Sequence, residues 1–486
     1  MTLASLSLVL AVSLPNIFSN HCILQRDSAT AVWGRGKAGE KVSVEIGGVQ
    51  ASTVTEKNGW WIVRLDTSAL RDGPFRLLVK GEADTVAVED VLVGEVWLAG
   101  GQSNMVYSMD DHPFGKIIGF EKRQRECAGR PIRVFALTTN DKTPDVAWNA
   151  QGFWRVVSPE NIGGISAVAY CFIDTLQKTI GGAAGLVTIP WSGSACRAWL
   201  PPCCTNEMAS VRKHIDLSAK PNWRVSYMWE NRFMPVSRAA YRGIIWYQGC
   251  QDSGPVEHSR DEYPEEFVRM VAEMRRANGR PDLPFLYCQI SGWGKPDARP
   301  QATSDSSWVR ESQRRVQKRI PHSGMAVIFD NSEVEIHNRM KGPAGDRLAA
   351  LALNRVYGFK DVPCQSPDFK SVTFGAKSAN VTFDIDGSPL KVGPFRTTLS
   401  WNVQSNTVIN IERRCPPKSE LEGFAVRDGK GSWHWASAKI TGSNTVKVWS
   451  AEVAWPTAVR YNWGNQGFGN LYNAAGLPAS TFTTEQ

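Results

Sequence analysis

No apolar run in this chain of 486 residues offers a candidate for a membrane-spanning helix. Lysine and arginine do not cluster either: the net charge of +8 is spread along the sequence, so nothing resembles a nucleic-acid footprint. None of the ten cysteines falls in a C-x-x-C pair, and only Cys203 and Cys204 are adjacent. That removes the usual zinc and redox motifs, leaves buried free thiols as the default, and calls for no metal or cofactor. What the chain has in plenty is apolar residues, 42%, and tryptophan, nineteen copies. Two or three domains are expected at this length, with most tryptophans in their cores and some in loops, where rings stack on sugars.

The most informative stretch is L-V-G-E-V-W-L-A-G-G-Q-S-N-M-V-Y-S-M, Leu92 to Met109. Its apolar run reads as a buried parallel strand over Val91 to Leu98, stopped by Gly100 and Gly101. Ser103 follows at the carboxyl end of that strand, where α/β sheets put their active sites. The plain alternative is a serine capping a helix. The nucleophile elbow G-x-S-x-G is absent here, because Met105 stands where the second glycine belongs.

A nucleophilic serine needs a base, and the chain holds only seven histidines. Met325 to Phe329 reads as a short strand ended by Asp330 and Asn331. His337 then lies in a polar loop before a helix that begins near Gly342, with Asp330, Glu333 and Glu335 close by. A surface histidine would look the same in isolation.

Serine first, then an acid and a histidine close together, is the order found in SGNH hydrolases, and the sequence resembles their sialate O-acetylesterase family. The shared blocks are G-E-V-W-L-x-x-G-Q-S-N-M, I-I-W-Y-Q-G and I-H, with L-P-N-I-F-S-N-H-C-I-L-Q-R near the start and N-L-Y-N-A-A-G-L-P-A-S-T-F-T-T near the end. Nearly the whole chain is covered. The resemblance implies a three-layer α/β/α core with a parallel sheet, flanked by β-sandwich-like regions. It implies Ser103 as nucleophile, His337 as base and, at the place of the family's D-I-H acid, Glu335. The extra methylene of Glu335 leaves Glu333, Asp330 or a backbone carbonyl as substitutes. The resemblance further puts the Gly193 amide and the Gln248 side chain at the oxyanion; Gln102, Asn104 and Arg197 are counted with them as oxyanion- or substrate-binding candidates.

Taken in order, residues 1–12 read as a shortened export signal, which implies a secreted or periplasmic protein. Residues 13–91 alternate in short runs such as K-V-S-V-E-I and read as a β-rich domain. The catalytic segment, 92–358, is expected to carry an insertion of loops and a helix after Ser103, then the helix A-V-A-Y-C-F-I-D-T-L-Q-K-T-I and the strand G-L-V-T-I-P-W. Two departures from the family pattern stand out. Ser192 and Arg197 replace a usual glycine and glutamate, and Q-G-C-Q-D, with Cys250, Gln251 and Asp252, replaces Q-G-E-S-N. Further on, Arg310 and Gln313 match family positions near the pocket, although a basic amphipathic helix is more often a solvated face. Residues 359–486 return to β-like alternation. The reading is a carbohydrate O-acetylesterase acting on O-acetylated sialic acids or another acetylated glycan. Its rivals are an acetylxylan or other polysaccharide deacetylase, and a catalytically impaired sugar-binding protein.

Overall fold

The central sheet takes shape around one long strand. In a computed structural model, the described residues are 11–485 except 28, 139–148, 217, 295–298, 301–304, 394–397, 403–406 and 412–420. All but the last two residues of the expected export signal, 1–12, lie outside them. Seven strands build the sheet: β1 (Thr85–Gly101), β2 (Ile132–Leu137), β3 (Gly152–Val156), β4 (Ala184–Thr188), β5 (Gly243–Tyr247), β6 (Phe285–Gln289) and β7 (Ser323–Val327). They lie in the order β7-β6-β5-β1-β4-β2-β3, and every pairing is parallel except that of the edge strand β3 with β2. Every residue of β4, β5, β6 and β7 is buried, as strands covered on both faces require.

Five helices frame this sheet: α1 (Ser103–Val106), α2 (Ala167–Ile180), α3 (Tyr263–Asn278), α4 (Asp305–Val316) and α5 (Gly342–Arg355). Trp97 of β1 packs edge-on against Phe172 of α2. Gly100 lies three residues on, hence on the opposite face, and makes room there for the Trp246 ring. That ring packs near Phe285, which meets Phe267 of α3. Helices α2 and α3 therefore cover opposite faces, giving the expected three layers.

Strand β1 is longer than the sequence implies. Its first half pairs with Asp72–Lys80 and Ile23–Gln25 of the N-terminal β region, and its second half pairs with β4 and β5. The domain boundary expected at 91/92 thus falls inside one continuous strand. Gly100 and Gly101, expected to turn the chain, instead complete the strand. A Cβ on Gly101 would lie 2.2 Å from the Tyr247 carbonyl oxygen, at a φ of +133°, so glycine allows β1 and β5 to converge at the site.

The segment after Ser103 corrects the insertion reading. It holds a helix at Phe120–Glu126, but it also supplies β2 and β3 to the central sheet. Beyond α5, two four-stranded sheets enclose a second core in which Val381, Phe383 and Val446 meet Val426, Tyr461 and Phe482. This is the β-rich C-terminal region, and it is fastened to the catalytic layers by Arg310 to Thr481 (3.1 Å) and Trp293 N–H to the Asn465 carbonyl (2.9 Å).

Candidate functional site

The carboxyl ends of β1, β4, β5 and β7 bring the expected residues into one region. Ser103 is the first residue of α1 and is half-buried. Its neighbours face inward. Gln102 is 3% exposed; its side-chain carbonyl accepts from the backbone N–H groups of Gly249 (3.0 Å) and Gln251 (3.1 Å). It holds the loop after β5 instead of facing a substrate. Asn104 is fully buried: Nδ2 donates to the Ile336 carbonyl at 3.2 Å, and Oδ1 accepts from Lys341 Nζ. The residue after Ser103 is therefore tied to the residue before His337. The link between the two segments runs through these neighbours and not through a direct hydrogen bond.

His337 is held by rings. Phe114 stacks on it with centroids 5.0 Å apart, and His112 lies 6.0 Å away while stacking on Tyr107 at 3.8 Å. Both His112 and Phe114 come from D-D-H-P-F-G, which local sequence marks only as a loop. Burial pushes the His337 imidazole down to about 4, and the nearby Lys341 and His112 add to the effect. The His337 imidazole is therefore neutral over the physiological range.

The orienting acid is not where it was expected. Nδ1 of His337 is buried and has no hydrogen-bond partner among the described residues, so Glu335 does not reach it. The side chain of Glu335 stays partly exposed, in keeping with a carboxylate displaced by one methylene. The substitutes are engaged elsewhere. Asp330 pairs with Arg347 through two contacts of 2.6 and 2.7 Å. Glu333 is buried, and burial raises its carboxyl to about 7 against the opposing pull of Lys341 and Arg339. Lys341, also buried, is pushed down to about 7 by desolvation and lies 4.7 Å above the Tyr107 ring. A buried lysine at the centre of the site has no marker in the sequence beyond its place four residues after the histidine.

The loop after β4 forms the opposite wall. Gly193 adopts a φ of +67°, where a Cβ would press within 2.9 Å of the Asn222 amide. Asn222 Nδ2 donates to the Gly193 carbonyl at 3.1 Å, and Trp191 N–H donates to the Gly101 carbonyl at 3.0 Å, which docks the loop on the end of β1. Gln248 is fully buried, and its Nε2 donates to the Ser194 carbonyl (3.1 Å) and to Asp252. Both acceptors fix the amide orientation, so its donors brace the fold and are not open to an oxyanion. Asp252 thus supplies a carboxylate beside this amide although the family's Q-G-E glutamate is missing. Arg197 is half-buried, and its charge acts on His214 and Glu266. Arg310 and Gln313 are fully buried, not a solvated face; Gln313 Nε2 donates to the Gln248 carbonyl at 2.9 Å.

The sequence profile described as "Carbohydrate esterase, sialic acid-specific acetylesterase" matches residues 93–340, just over half of the chain. Mouse sialate O-acetylesterase is 26% identical over 434 residues, covering 75% of this chain and 77% of that protein. The human sialate O-acetylesterase is 26% identical over 398 residues, 72% of each chain. The crystal structure of a carbohydrate acetylesterase from Xanthomonas citri superposes with a TM-score of 0.82 at 29% identity, over 98% of this chain and all of that one.

Proposed function

Because this chain belongs to the sialic acid-specific acetylesterase family of carbohydrate esterases, we propose that Ser103 and His337 carry out its ester hydrolysis. The activity itself is that of a carbohydrate O-acetylesterase. The proposal concerns how it is performed and on which glycan.

Ser103 Oγ attacks the acetyl carbonyl carbon while its proton passes to the neutral imidazole of His337. The Gly193 N–H, which has no acceptor among the described residues, is the proposed donor to the oxyanion that develops. Collapse expels the sugar oxygen, which takes the proton from His337 and leaves as the free hydroxyl. Water, giving a proton to the same imidazole, then attacks the acetyl carbon on Ser103; Ser103 Oγ leaves, takes that proton back from His337, and acetic acid is released. The observation that carries this reading is the tie from Asn104 to Ile336, which holds the serine and histidine segments in one register. His337 works here without a carboxylate on Nδ1, steadied by Phe114 and His112.

An O-acetylated sialic acid is the proposed substrate. Supporting it are the family, the net charge of +8 and two exposed rings suited to stacking on a sugar, Trp223 and Trp293, 44% and 38% exposed. Trp223 adjoins Asn222, which holds Gly193; Gly294, beside Trp293, donates its N–H to the Val334 carbonyl at 2.9 Å. The carboxylate that Asp252 places on Gln248 favours an active enzyme over an impaired binder. The test is acetate release from O-acetylated sialic acids and from acetylated xylan. Faster release from the sialic acids is expected, and preference for xylan would transfer the assignment to a polysaccharide deacetylase.

A further inference from the structure

Behind the Gln248 brace lies a cluster that the hydrolysis does not use. Asp252 comes from the loop after β5, His258 and Glu262 from the turn that precedes α3, and Glu266 from the first turn of α3. His258 Nε2 is 3.2 Å from Asp252 Oδ1, and His258 Nδ1 is 3.1 Å from Glu262 Oε2. Glu266 is 0% exposed, and neither of its carboxylate oxygens makes a hydrogen bond. Ligand atoms of Asp252, His258 and Glu266 all lie within 4.8 Å of one another.

A neutral imidazole has a single N–H. With that hydrogen on Nδ1, donated to Glu262, the lone pair of Nε2 faces the Asp252 oxygen. Two acceptors at that distance repel unless a positive charge sits between them. Glu266 faces the same space, where a carboxylate this deeply buried is costly unless it is paired. Lys213 is spent on Glu262, at 2.5 Å.

We propose that Asp252, His258 and Glu266 bind one divalent transition cation of the zinc type, with Glu262 orienting the imidazole from behind. Metal-to-ligand distances of about 2.0–2.2 Å in a tetrahedral site put neighbouring ligand atoms roughly 3.3–3.6 Å apart. The Asp252 to His258 spacing is already close to such an edge. A histidine ligand whose other nitrogen is held by a carboxylate is the usual arrangement around such ions, and imidazole argues against magnesium or calcium. With three protein ligands, water completes the tetrahedron, and the role of the ion is structural. Asp252 also accepts from the Cys196 N–H at 3.0 Å and from Gln248, so the cation anchors the loops after β4 and β5. A second grouping, His214, His258 and Glu262, shares the imidazole but is only half-buried, and its carboxylate already holds Lys213. The rival occupant of the inner site is a second proton on His258.

The experiment strips the full chain with chelator, incubates it with zinc sulfate, desalts it and measures zinc per chain by mass spectrometry, with thermal unfolding recorded in parallel. About one zinc per chain and a raised Tm are expected, because a cation bound only by the folded state stabilises it. Glu266→Gln should lose the zinc, Glu262→Gln should bind it at least about tenfold more weakly, and His214→Ala should keep it. A wild-type chain that retains no zinc overturns the proposal, as does loss in His214→Ala with retention in Glu266→Gln. Should Glu266→Gln fail to fold, the wild-type stoichiometry and the Glu262→Gln affinity still decide.

Discussion

Asn104 Nδ2 donates to the Ile336 carbonyl at 3.2 Å, so one buried amide joins the start of α1 to the loop that carries His337. The same side chain accepts from Lys341 through Oδ1. Asn104→Ala would leave a buried ammonium and a carbonyl without that partner, at a cost of about 1–3 kcal/mol. We expect kcat to fall by roughly tenfold or more, since misplacing the base by a fraction of an ångström weakens proton transfer. Urea unfolding together with kcat and KM on a simple acetyl ester checks both. An unchanged kcat would mean that the tie does not set the register of the two segments.

The pH profile tests Lys341. His337 lies at about 4, below the ordinary imidazole value of about 6.5. The base acts unprotonated, so the acid limb of kcat/KM should fall near pH 4 in the wild type. Lys341→Met removes a cation that disfavours the imidazolium, and the limb should move to higher pH. A limb that stays in place would show that burial alone sets it. Stability follows the same sign: the unfolded chain takes up this proton first, so the His337 contribution turns against the folded state as pH falls from about 6.5 towards 4.

Glu335 offers a direct contrast between sequence and structure. With no carboxylate on His337 Nδ1, Glu335→Gln should lower kcat by less than about tenfold, and Glu333→Gln by a similarly small factor. Steady-state kinetics at neutral pH decides. A loss of about 10² to 10⁴ for Glu335→Gln alone would mean that the acid closes on the imidazole when substrate binds.

Gln248→Ala separates bracing from oxyanion stabilisation. Both hydrogens of its amide are engaged inside the fold, so the substitution should lower Tm and kcat together. A drop of about 10² in kcat at unchanged Tm would instead mark a donor that acts in the transition state.

Ser103 stands out in the sequence as a serine at a strand end and His337 as a loop histidine beside acids, Gly193 is singled out only by the family resemblance, and the β-rich regions at both ends follow from alternation. The rest depends on tertiary packing. I-R-V-F-A-L is a good buried strand, but the charged helix before it disguised β2 and β3 as an insertion. His112 and Phe114 matter only because their rings meet His337. Gln102 and Gln248 sit beside the reactive positions in sequence, yet their side chains turn inward, which spacing alone does not reveal. Asp252 meets Gln248 from four residues downstream, whereas the family motif has its glutamate two residues away.

The central claim is that Ser103 forms the covalent bond to acetyl. The most direct measurement is intact-protein mass spectrometry of wild type and Ser103→Ala after rapid mixing with an activated acetyl ester, with acetate release followed in parallel. The account predicts a transient acetyl adduct on wild type that maps to Ser103. In Ser103→Ala it predicts no adduct, a turnover lower by several orders of magnitude, and an unchanged melting temperature. Near-normal acetate release from a folded Ser103→Ala protein would contradict it.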